Sequence, residues 1–238
     1  MKNNSGNVLF LILIAVALFA ALSYAVTQSS RGGADNTVKE TSAINSAVLG
    51  QYAASLRASL QRMTTDNHDL TTLEFNAPAD FSNLTSPSVG VFHPSGGGVI
   101  YELAPFSLVD QQSTNPTGQW VVTMNFEIQG IGTSVSSDLD GNDLIAFMVG
   151  VRKDVCERVN KGLGISTNPL PKITDQDYST NMITNLQSYY MDHDYVLPST
   201  ELVIGAGADD AGLVGKAEGC YFEQSGGNYV YYAVLFER

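Results

Sequence analysis

Basic residues are scarce in this sequence. Lysine and arginine total 12 against 24 acids in 238 residues, a formal charge of -12. A nucleic-acid binder presents a basic face to phosphate, so that class is excluded. Adhesion to anionic lipid by charge is excluded on the same ground. Histidines number 3 and cysteines 2, and GxSxG, HExxH, P-loop and SxxK motifs are all missing. Gly205-Ala206-Gly207 begins like a nucleotide loop, but the third glycine of GxGxxG falls at Asp210, whose carboxylate repels phosphate. The sequence therefore reads as non-enzymatic. Charged residues make up only 15% and apolar ones 44%, too few and too many for a disordered chain. The length suits one domain with an appendage and can bury a real core.

The longest feature is apolar. Val8 to Val26 carries no charge and no proline, and at about 1.5 Å per helical residue it crosses a bilayer core of about 30 Å. A core helix keeps a polar face, and this stretch has none before Ser23 and Tyr24. Three membrane readings stand open. Ser23-Tyr24-Ala25 has the small-x-small form of a secretory cleavage site. The stretch also reads as an uncleaved anchor. Alternatively, residues 1–6 form a short polar leader cut after Gly6, which leaves Asn7 as the new terminus and the helix on the mature chain. Ala17, Ala21 and Ala25 share one helix face, as small residues do where helices approach closely, although alanine is common in any apolar helix. Lys2 on one side and the acidic bulk on the other place the domain outside the cytoplasm.

Leader, apolar helix and the amphipathic stretch after it, residues 1–64, together resemble type IV pilins and type II secretion pseudopilins. The resemblance implies a subunit of the bacterial inner membrane with a periplasmic or extracellular domain. It also implies partners that are the membrane itself and like or related subunits packed through the helix. Two positions depart from the family pattern: Leu11 stands where a glutamate is usual at the fifth mature position, and Asn7 where an aromatic begins the mature chain. That glutamate is held to pair with a neighbouring subunit's N-terminal amine, so its loss points away from a major pilin and towards a minor or initiating subunit.

After the apolar run, Arg31-Gly32-Gly33 predicts a break or joint, and Thr37 to Glu40 has the spacing of a capping box. Ile44, Val48, Tyr52, Leu56, Leu60 and Met63 then recur every three or four residues, one apolar stripe on an amphipathic helix. The expected divisions are 1–6 leader, 7–30 membrane helix, 31–64 joint and spine, and 65–238 extracytoplasmic domain. Within that domain, Val99 to Leu103 reads as a strand. Trp120 to Ile128 reads as a stronger one, with Trp120, Val122, Met124, Phe126 and Ile128 on one face. Asp143 to Lys161 reads as a second helix with Leu144, Met148, Val151, Val155 and Val159 inward, stopped by Gly162 and Gly164. A weaker helix is expected over 176–190. Cys220 to Gln224 and Asn228 to Glu237, joined through Gly226-Gly227, make a hairpin. The expected class is α+β: a membrane helix and helical spine packed on an antiparallel sheet, with a second helix and a C-terminal hairpin.

Two cysteines in an exported chain suggest one bridge between Cys156 and Cys220. Closing a loop of about 65 residues, it contributes on the order of 4 kcal/mol in the chain-entropy model. A redox pair takes the CxxC form instead. Pilin-like domains often carry a disulfide in this late region.

Asp138, Asp140, Asn142 and Asp143 crowd oxygen ligands around Gly141, a pattern that suits calcium, but Val149 stands where an EF-hand needs its bidentate glutamate. The competing reading has Asp140 or Asn142 capping the second helix and Asp143 in its first turn. No other cofactor is implied. His193 between Asp192 and Asp194 has the surroundings of a metal ligand or proton carrier, or of a solvated loop. His68 and His93 have no partner recognisable from spacing. The tyrosines, 11 in all, suit a recognition surface where exposed, and core where the hairpin is amphipathic.

Overall fold

A strand needs a partner before its pattern can be satisfied, and in the described residues every named strand lies between Trp120 and Phe236. The computed structural model describes residues 5–113, 115, 117–133, 142–174 and 202–237. Two units divide it, Met1–Thr41 and Ser42–Arg238.

The first unit is helical, part of α1 (Ser5–Thr65). Phe10–Thr27 is long and apolar enough to cross a membrane, and none of it is buried. Backbone hydrogen bonding is helical through Gly32 and Gly33, so the break expected at those glycines is absent from the secondary structure, and Thr37 has no helix start to cap.

Among the described residues, the second unit is built on six strands: β1 (Trp120–Ile128), β2 (Asp143–Val149), β3 (Lys172–Ile173), β4 (Leu202–Ile204), β5 (Glu218–Glu223) and β6 (Asn228–Phe236). Their order is β3-β5-β6-β2-β1-β4. The C-terminal hairpin forms as its pattern predicts, with Cys220 opposite Tyr231. The sheet is mixed, which corrects the antiparallel expectation. β4 runs parallel to β1 and β3 parallel to β5, and these two edge strands are too short to have been read as strands.

The expected helix from Asp143 is also corrected. Asp143–Val149 is β2, and the helix α2 begins only at Lys153 and ends at Leu163. β2 is buried along its whole length, because Ile145, Phe147 and Val149 pack on one face while Leu144, Ala146 and Met148 pack on the other. A strand covered on both sides has no polar period, so its apolar run matches a helical stripe equally well. Gly164 does stop α2: it is left-handed (φ 68°) and its amide bonds the carbonyls of Asn160 and Lys161, the conformation a C-terminal glycine supplies at least cost.

In β1 the alternation is broken as well. The register shifts between Thr123 and Phe126, a bulge that turns Phe126 and Ile128 to the face opposite Val122. The five-residue face expected for Trp120 to Ile128 is thus split.

Helices α1 and α2 cover one face of the sheet. Leu49 and Ala53 of α1 meet Val155, Cys156 and Val159 of α2 over Met148, Tyr231 and Ala233. Leu56, Leu60 and Met63 continue onto Val122, Leu144 and Leu235. Cys156 and Cys220 are disulfide-bonded, with Cα atoms 5.4 Å apart, joining α2 to β5. Next to the bridge, buried Asn160 donates to the Cys220 carbonyl (2.8 Å) and accepts from its amide (2.9 Å). Ser42 donates to Asp154 at 2.6 Å, tying α1 to the first turn of α2. Buried Glu223 accepts from the amides of Ser225 and Gly226, both at 2.6 Å. That carboxylate thereby fixes the turn between β5 and β6, since charge-assisted bonds to backbone amides are among the stronger ones.

Candidate functional site

The part of α1 within the second unit has three distinct sides. Leu49, Ala53, Leu56, Leu60 and Met63 point into the core and are buried. The predicted stripe is therefore rotated at its start: Val48 is half-buried and Ile44 is 65% exposed.

On the second side, Asn45, Tyr52 and Ser59 recur at seven-residue spacing and so share one face. Each holds a point on the segment 97–107. Ser59 donates to the Gly97 carbonyl at 2.9 Å. Tyr52 accepts from the Glu102 amide at 3.5 Å. Asn45 donates to the Ser107 carbonyl (2.8 Å) and accepts from the Ser107 hydroxyl (3.0 Å). Arg62 adds bonds to the carbonyls of Gly96 (3.2 Å) and Gly97. Isolated backbone bonds, Val99 to the Val91 carbonyl (3.1 Å) and Ala104 to the Gly118 carbonyl (2.8 Å), complete the hold, and no strand forms over Val99 to Leu103, which corrects the strand expected there. The approach is close: a Cβ at Gly97 would collide with the Val91 backbone and lie 2.7 Å from the Ser59 hydroxyl, so glycine is required there.

Along the third side of α1 lies an open groove of ≈ 730 Å³. Val48, Gln51, Ser55, Ala58 and Arg62 form its floor, and Gly97, Gly98, Val99, Ile100 and Glu102 its far wall. Large apolar side chains crowd this flank in the open: Ile100 is 72% exposed, Leu103 49% and Phe106 75%. Arg62 and Glu102 both line the groove. The ion pairs among the described residues are Arg152 with Asp154 and Lys153 with Glu157, so neither groove charge is paired with a described residue. Its serines are occupied, since Ser55 donates to the Tyr52 carbonyl at 2.7 Å and Ser59 to Gly97. With no histidine or cysteine in its lining, the groove offers contact and charge rather than a nucleophile with a base.

Tyr52 and its neighbours make the second unit sensitive to alkali. Burial pushes the Tyr52 hydroxyl from its ordinary value of 10 up to about 12. Burial likewise raises Tyr231 and Tyr232, with the Glu218 charge adding to both. A raised folded-state value means the unfolded chain ionises first, so the stability involved is fully present below pH 10 and drains away as pH rises towards 12 and beyond. We expect circular dichroism and the buried share of tyrosinate absorbance to change together in that window. Tyrosinate forming while the fold persists would contradict the burial of these rings.

The residues singled out from the sequence are not gathered by the fold. Asp143 opens β2, where its carboxylate accepts from the Ile128 amide at 3.1 Å. It does not sit in the first turn of a helix, and Asn142 does not cap α2, which starts at Lys153 after Arg152. Asp138, Asp140 and the triplet Asp192, His193, Asp194 lie outside the described residues, as does the weak helix expected over 176–190. Among the described residues no three His, Cys, Asp or Glu side chains converge on a metal-sized point. His93 accepts from the Ser95 amide at 3.1 Å and packs on Phe81, with ring centroids 4.8 Å apart. Asp210 turns inward and accepts from the Gly205 amide at 2.8 Å, so its loop is closed on itself. Tyr221, Tyr231 and Tyr232 are fully buried, and no recognition surface arises from them. Gly6 and Asn7 fall at the start of α1. The groove itself was missed; the signal for it was Asn45 and Ser59 at heptad spacing with Tyr52, polar residues set against the apolar stripe that Tyr52 belongs to.

Comparison with protein-family models, with curated proteins and with solved structures returned no match.

Proposed function

We propose that this protein is a pilin-like or pseudopilin-like subunit of the bacterial cell envelope, doing structural work without catalysis. Helix α1 holds it in the inner membrane, and the acidic, disulfide-bonded unit stands in the periplasm or outside the cell. The observation that carries this reading is the run Phe10–Thr27, apolar throughout and nowhere buried. Such a surface needs lipid or sister helices to cover it. The short polar leader before it and the retained continuation into α1 are what separate this reading from a plain anchor. Leu11 and Asn7, at the positions where the family has glutamate and an aromatic, suit a minor or initiating subunit.

A photoreactive side chain at Leu18, in cells with intact assembly machinery, tests the reading. We expect adducts between copies, or with related subunits, through residues 10–27. The groove beside α1 favours a second reading, a tethered monomeric binding or adhesion module. Adducts with lipid alone would support that one and end the first.

A further inference from the structure

We propose that the groove beside α1 seats a second copy of this chain, paired head to head so that Glu102 of each copy faces Arg62 of the other. The inference extends the assembly reading from the membrane helix to the domain, and its test separates the two.

Exposed apolar surface points to contact at this flank. Among the described residues of 42–238, the exposed large apolar side chains are Ile44, Ile100, Leu103, Phe106, Leu163 and Val214. Three of these six, Ile100, Leu103 and Phe106, lie on the segment 97–107 whose first part walls the groove, and Phe106 and Ile100 are the most exposed. Single exposed apolar residues need no explanation, whereas a cluster around a concavity marks a binding face.

Charge selects the occupant. The groove carries one cation, Arg62, which bonds the Gly96 and Gly97 carbonyls, and one anion, Glu102; among the described residues neither is in an ion pair. A face with one charge of each sign is complementary to itself, because a two-fold axis brings plus to minus twice. An anionic lipid surface meets the opposite situation: Glu102 and a chain of net charge -12 oppose it. Phe106, 75% exposed, precedes Ser107, whose carbonyl and hydroxyl bond Asn45 of α1, so a probe at this position sits on the same segment as the groove wall.

The test uses the full-length chain in its native membrane, with a photoreactive phenylalanine analogue at Phe106 and, separately, one at Leu18. The expected result is a copy-to-copy adduct from position 106 that maps to Val48–Arg62 or to the wall at 99–102. Glu102→Arg is expected to lower its yield roughly fivefold or more, since each opposed pair at an exposed site changes sign from a gain to a loss of up to about 1 kcal/mol. An intact Cys156–Cys220 bridge in each variant confirms that the domain is folded. Adducts from Leu18 without any from Phe106 overturn this inference and leave the assembly reading standing, while failure at both positions removes both. An adduct from Phe106 to its own chain, or one indifferent to the Glu102 reversal, also overturns it.

Discussion

Arginine at both Leu18 and Phe19 is expected to release the protein from the membrane fraction. These side chains sit at the middle of the apolar run, 62% and 76% exposed, so replacing them removes no packing within the chain. What changes is the cost of placing the helix in hydrocarbon. Each arginine at a helix centre adds about 2.5–3.5 kcal/mol to insertion, and two together shift the equilibrium by roughly ten-thousandfold. Leucine and phenylalanine replaced by isoleucine keep the helix inserted. Fractionation after an alkaline carbonate wash reads the difference. If the double arginine variant stayed with the pellet as firmly as the parent, the domain would have to hold the membrane by itself. Nothing in its charge favours that.

The second large effect concerns the bridge between Cys156 and Cys220. Replacing both cysteines with alanine frees a stretch separated by 64 residues, and loop closure over that length is worth on the order of 4 kcal/mol. This is a large part of a domain's usual margin of about 5–15 kcal/mol. The loss is concentrated where α2 meets β5, since Asn160 bonds both backbone groups of Cys220 and depends on α2 keeping its place. Denaturant unfolding of the domain is expected to show a midpoint lowered in proportion, with a slope changed only by the looser unfolded chain. A midpoint that moved by less than about 1 kcal/mol in equivalent stability would mean that packing alone aligns α2 with the sheet.

The sequence revealed most where one physical rule acted alone. The membrane-length helix and the final hairpin needed only composition and period 2, and both formed. Reading failed where tertiary context decided. β2 is covered on both faces, so Leu144 to Val149 offered no alternation to distinguish strand from helix. The bulge after Thr123 moved Phe126 and Ile128 across the sheet without a glycine or proline to mark it. β3 and β4, with two and three residues, owe their existence to neighbours supplied from elsewhere in the chain. The groove depends on the same kind of context. Val99 to Leu103 has strand composition, yet it makes only isolated backbone bonds and is tied to α1 through Tyr52, Asn45 and Ser59 at and beside its ends, and only the placement of α1 makes that visible.

One measurement bears on the whole account: the intact mass and N-terminal residue of the mature protein extracted from its native membrane without reduction. The account predicts a chain that starts at Asn7, still carries the apolar run, and has mass consistent with an oxidised Cys156–Cys220 pair. A mature chain starting at Val26 would contradict it, leaving an exported mixed α and β domain with no helix to place among sister subunits.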